Sequence, residues 1–370
     1  MYKLISTVFM LNDIRTTKEL IELAKKNQEA ASVLLMGLLP FLALEIDGSL
    51  NLLKTMGIEL NDLPISMDYQ DTLKKVRIKS KLYREKTKKN IGSIKKIRIG
   101  QNEVFSNALK FKFFKKMNWF YDLGTYKYKD IYIGNTYLYI WHFDGIDNVM
   151  ESININEQQG ETIQNFAEAM GQLIGIVEAS STQIPYYENH SLKGVIPGVN
   201  LKDFNISKIN TAIFKNEIDK DCVLLLFNLL CSVNFVEFYL KNIFNNENSL
   251  YFRIKYLIYY FVVSSLESLA RYSEQNMDIQ TGLDKFEDEI KKTASFKNLD
   301  FCNCMRHYGI TELTLPEKYI NLNEPLLGLI QAHFKLDSLE FINQLDELLI
   351  RQSEMLSHWI MKSPVSSKQS

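Results

Sequence analysis

Phe301-Cys302-Asn303-Cys304-Met305-Arg306-His307-Tyr308-Gly309 is the stretch that decides how this chain is read. Its spacing suits a short helix over 298–308. At about 3.6 residues per turn, Asn303 and His307 project side by side, as do Cys302 and Arg306. Helical periodicity extends to both sides of it. Residues 222–244, 249–273, 282–293, 324–334 and 338–361 each carry apolar stripes, and the last has Leu339, Ile342, Leu345, Leu349, Leu356 and Trp359 on one face.

Upstream the pattern changes. Residues 17–39 carry an apolar helical stripe, and a second helix over 49–56 stops at Gly57. Val76, Ile78, Ser80 and Leu82 then alternate with Lys75, Arg77, Lys79 and Lys81, which suits a strand with one basic face and equally a solvated helix. The alternation resumes over 94–99. Residues 126–133 and 137–143 flank Gly134-Asn135, a hairpin signal, so an antiparallel sheet is expected between about residues 70 and 145. Helical spacing returns over 161–177, and Pro185, Gly194, Pro197 and Gly198 interrupt a connector over 180–220. The expected fold class is α+β. A mixed module with an antiparallel sheet occupies 1–150, a helix and connector 151–220, a mainly α-helical bundle 221–362 and a frayed tail 363–370.

Composition narrows the class. The chain has 370 residues, 46% hydrophobic and 24% charged, with 7 prolines, enough to bury the cores of two or three globular units. Four cysteines without framework spacing argue against a disulfide scaffold and fit the reducing cytoplasm. The N-terminus lacks a small-residue cleavage site after its apolar run, and the apolar stretch 223–240 contains Asn228, Ser232, Asn234 and Glu237, so neither a signal peptide nor a membrane partner is expected. No cofactor is expected either, because Gly171 to Gly175 is not followed by the Lys-Ser/Thr of a phosphate loop. Cys302, Cys304 and His307 lack a fourth ligand or a second spaced pair, so no metal is expected.

Charge is uneven. The net charge is −1, yet between Lys74 and Arg98 twelve Lys or Arg face a single acid, Glu85. A window of +11 beside a remainder of about −12 is a partner signal. Lys75, Arg77, Lys79, Lys81, Lys95, Lys96 and Arg98 are the candidate phosphate contacts. With the aromatics that follow, from Phe105 to Trp141, they suit RNA or single-stranded DNA.

The Asn303-xxx-His307 pattern in a late helix resembles the signature of the HEPN superfamily, helical domains in which an Arg and a polar residue precede a His on one helix. The resemblance spans about nine residues directly and the last 150 or so through helical context. It implies a HEPN-like bundle, a homodimer with a composite cleft, and metal-independent RNA cleavage within toxin or antiviral defence systems. Cys302 stands where the family pattern has its Arg, and a thiol supplies no fixed positive charge. The expectation is therefore a nucleic-acid-associated, HEPN-like protein of a bacterial defence or toxin-type system, non-catalytic or weakly active. One alternative is an endoribonuclease in which His307 moves protons, Arg306 supplies the missing charge and Asn303 orients. Another is a non-enzymatic interaction or immunity protein, with His307 an ordinary structural histidine.

Overall fold

The computed structural model describes residues 1–57, 77, 87–108, 121–143, 168, 171–172, 174–175, 192–208, 212–215, 218–276, 282–322 and 324–364. Most of the expected helix over 161–177 and residues 365–370 of the expected tail lie outside them, as do Lys75, Lys79 and Lys81.

The helices are α1 (Tyr2–Lys26), α2 (Gln28–Thr55), α3 (Thr87–Ala108), α4 (Thr136–Phe143), α5 (Lys220–Asn234), α6 (Ser249–Gln275), α7 (Glu287–Thr293), α8 (Leu299–His307), α9 (Pro325–Phe334) and α10 (Ser338–Ile360). A small antiparallel sheet is built from β1 (Leu123–Tyr128), β2 (Ile131–Asn135) and β3 (Asn200–Phe204), in the order β2-β1-β3. Mainly helical with a minor antiparallel sheet, the chain is α+β.

Local chemistry sets the helix boundaries. Asp219, Asn248, Asn298 and Asp337 each accept backbone N–H bonds at the start of α5, α6, α8 and α10. Gly57, at φ +88°, follows the end of α2 as its position in the sequence suggested. The expected helix over 17–39 is instead divided at Asn27, whose side chain donates to the Leu23 carbonyl at 2.9 Å and closes α1. On α10 the buried face runs through Phe341, Leu345, Leu349 and Trp359, whereas Leu339 is 65% exposed and lies off the stripe assigned to it.

The sheet departs further from expectation. Residues 94–99 are not a strand but part of α3, where Thr87, Asn90, Ile94 and Ile97 turn inward at helical spacing. Gly134-Asn135 is not the hairpin turn. The chain reverses at Lys129-Asp130, with Tyr128 opposite Ile131 and Lys129 in the left-handed region at φ +52°. Asn135 ends β2 and its side chain accepts from the Leu138 N–H at 2.9 Å, so it starts α4, and residues 137–143 are helical. The third strand comes from the connector, with Thr125 opposite Lys202.

One apolar cluster runs from Ile5 to Met361, with α5 and α6 at its centre. Two stretches, Ala30–Thr55 and Lys220–Asn242, are long and apolar enough to cross a membrane, and 67% and 94% of their apolar windows are buried inside the structure. Within the second, the helix widens into a π-turn at Phe235–Tyr239. There the buried Glu237 pairs with Lys241, and Lys255 of α6 pairs with Asp346 of α10.

Candidate functional site

Helix α8 packs on α2 and α6, and the packing sorts its side chains. Phe301, Cys302, Cys304, Met305 and Arg306 face inward and are buried, while Asn303 is exposed and His307 is about one third exposed. Asn303 and His307 therefore share the accessible face that their spacing suggested. Arg306 does not join them. It is 3% exposed and lies on the inward side with Cys302. Burial also pushes the Cys304 thiol up to about 11, away from thiolate chemistry at neutral pH.

His307 lines an open groove of about 410 Å³ between the start of α1, the end of α2 and the loop after α8. Tyr2, Lys3, Ser6, Asn51, Thr55 and Glu312 share it. Behind the imidazole stands a residue with no role in the sequence reading, Asp47 of α2. Its Oδ2 lies 3.8 Å from His307 Nδ1 and accepts from Arg77 Nη1 at 3.1 Å and Asn51 Nδ2 at 3.2 Å. Arg77, singled out for its place in the basic window, thus meets the motif histidine across one carboxylate. A charged pair of residues in the apolar run Phe41-Leu42-Ala43-Leu44-Glu45-Ile46-Asp47 was the available signal.

The other member of that pair turns inward. Glu45 is 1% exposed and accepts from Thr17 Oγ1 at 2.8 and 3.0 Å. Nearby, Arg253 of α6 binds Asp13 of α1 and the Tyr308 hydroxyl, Tyr308 donates to Asp13 at 3.0 Å, and Ser249 donates to Asp13 Oδ1 at 3.0 Å. Burial, reinforced by the Asp13 charge and opposed by Arg253 and Thr17, pushes Glu45 up to about 8. Near neutrality Glu45 is then mostly protonated, leaving Arg253 and Asp13 as a balanced buried pair. Tyr308 reaches this cluster from a left-handed backbone at φ +53°, a conformation costly for a bulky residue and held by its side-chain bonds. Gly48 permits the approach, since a Cβ there would lie 3.0 Å from both the Arg306 carbonyl and the Tyr308 ring.

The remaining basic candidates divide. Lys95 and Lys96 are exposed on α3 and lie seven residues after Lys88 and Lys89, also exposed, so the four form one basic face. Arg98 is engaged within the fold, its Nε and Nη2 bound to Asp221 at 2.7 and 3.2 Å. Tyr132, Tyr137, Tyr139 and Trp141 are at most 5% exposed, so these aromatics fill the core rather than offer stacking surfaces. Among the described residues, no three His, Cys, Asp or Glu side chains converge to hold a metal ion. Comparison with protein-family models, curated proteins and solved structures gives no match to this chain.

Proposed function

We propose that the chain is a nucleic-acid-associated, HEPN-like protein of a defence or toxin-type system, with the His307 groove facing RNA and with little or no cleavage activity. The observation that carries the reading is the sorting of α8. His307 and Asn303 face solvent beside an open groove, while Cys302 and Arg306, the two positions on that helix that bear on the motif cation, are buried on its other side. The lysine face of α3 supports it, because exposed ammonium groups in register neutralise successive phosphates. A homodimer with α8 near its two-fold axis and a cytoplasmic setting belong to the same reading. Fluorescence anisotropy with a labelled single-stranded RNA tests it. Affinity is expected to fall steeply as salt rises, and Lys95→Glu with Lys96→Glu is expected to weaken binding roughly tenfold or more. No binding at low salt would overturn the proposal.

One observation favours a second reading, a metal-independent endoribonuclease. Arg77 brings a guanidinium to the Asp47 side of His307 from outside α8. Cleavage of RNA in the presence of a chelator, abolished by Arg77→Ala and by His307→Ala, is the expected signature. Wild type inert to RNA under those conditions would dismiss it.

A further inference from the structure

Resting on the proposal that the His307 groove is the ligand-facing site, we infer that Asp47 is a positioning residue for His307, orienting its imidazole toward a nucleotide's hydroxyl or phosphate oxygen. The geometry is specific. Asp47 Oδ2 lies 3.8 Å from Nδ1 of the imidazole, so an approach of about 1 Å would bring the two within hydrogen-bonding distance. An Nδ1–H directed at a carboxylate makes Nε2 the nitrogen that carries the lone pair.

Neighbouring groups fix both partners. Asn51 donates to the Asp47 carboxylate at 3.2 Å and to the Asp47 carbonyl at 2.7 Å, one turn along α2. His307 ends α8 immediately before Tyr308, whose hydroxyl lies in the buried cluster, so the backbone under the imidazole is anchored while its side chain stays about one third exposed. Arg77 supplies the tuning. Its guanidinium binds the same oxygen that faces His307, so the two cations compete for one carboxylate when the imidazole is protonated. The other titratable groups around the groove are Tyr2 and Lys3 from α1 and Glu312 from the loop after α8, and Lys3 donates to the Thr55 carbonyl at 2.9 Å.

The test is a histidine NMR titration of the full chain, with the His307 signal assigned by its loss in His307→Gln. Removing the carboxylate charge in Asp47→Asn is expected to lower the His307 midpoint by about half a pH unit or more, and removing the competing cation in Arg77→Gln is expected to raise it. The neutral ring should also lose its Nδ1–H form in Asp47→Asn and revert to the Nε2–H form that free imidazole prefers. An unchanged midpoint in Asp47→Asn, or a lower midpoint in Arg77→Gln, would overturn the inference. Arg77→Gln keeps it open to refutation even should Asp47→Asn fold poorly. The titration needs no RNA, so failure of the nucleic-acid proposal would appear separately, as an absence of RNA binding.

Discussion

Two carboxylates on α2 and two aromatic rings at the end of α8 meet very different surroundings one or two residues apart. Glu45 and Tyr308 are buried in a cluster with Arg253 and Asp13, whereas His307 lines an open groove with Asp47 behind it. The same two helices therefore supply both a buried clasp and an accessible polar site. Inside, each charge is desolvated and must be matched, so the cluster governs stability and its loss is costly. At the groove His307 is about one third exposed, so solvent partly screens its contact with Asp47 and that contact adds little to stability.

The largest effect expected from this contrast is on the inner side. Arg253→Met removes the cation that binds Asp13 and Tyr308 and leaves a buried carboxylate unmatched, which typically costs about 3–5 kcal/mol. Denaturant unfolding measures it, and a loss no larger than that from Arg77→Gln would erase the distinction between the two regions.

Next comes pH. Glu45 holds its proton in the folded chain up to about 8, above its ordinary value of 4.5, so the folded state binds more protons between those values. Its contribution is fully present below about 4.5 and is lost as pH rises through about 8, a change on the order of a few kcal/mol. Glu45→Gln, still able to accept from Thr17, is expected to flatten that slope in unfolding curves collected across the range. A slope unaltered in the variant would place the titrating group elsewhere.

A smaller loss is expected for Tyr308→Phe. It keeps the ring and the left-handed backbone but removes the hydroxyl shared with Asp13 and Arg253, at a cost of about 1–3 kcal/mol for a buried group left without its partner. Thermal unfolding checks this. A melting temperature equal to that of wild type would mean that the cluster does not hold the end of α8.

What the sequence disclosed follows the range of the interactions. The helices over 249–273, 298–308, 324–334 and 338–361 were legible because their caps and apolar stripes are local, as with Asn298 bonding Phe301 and Asp337 bonding Leu339. The Asn303 and His307 face was legible for the same reason. Gly134-Asn135 misled, since an Asn before a helix and an Asn in a turn look alike until tertiary contacts choose, and the actual turn uses Lys129, which carries no turn preference. Ile97 and Ile99 fit an alternating count and Ile94 and Ile97 a helical one, and packing on α5 decided for the helix, leaving Ile99 exposed. Asp13, Asp47, Arg253 and Tyr308 were silent as a group, because the partners lie from 30 to 295 positions apart and no local pattern joins them.

His307→Ala, measured for single-stranded RNA affinity by anisotropy alongside its melting temperature, tests the division between clasp and groove most directly. The expected result is binding weakened several-fold, with stability changed by less than about 0.5–1 kcal/mol, as for a partly exposed side chain. Unchanged RNA affinity with a melting temperature as low as that of Tyr308→Phe would contradict it, and would make His307 part of the structural clasp.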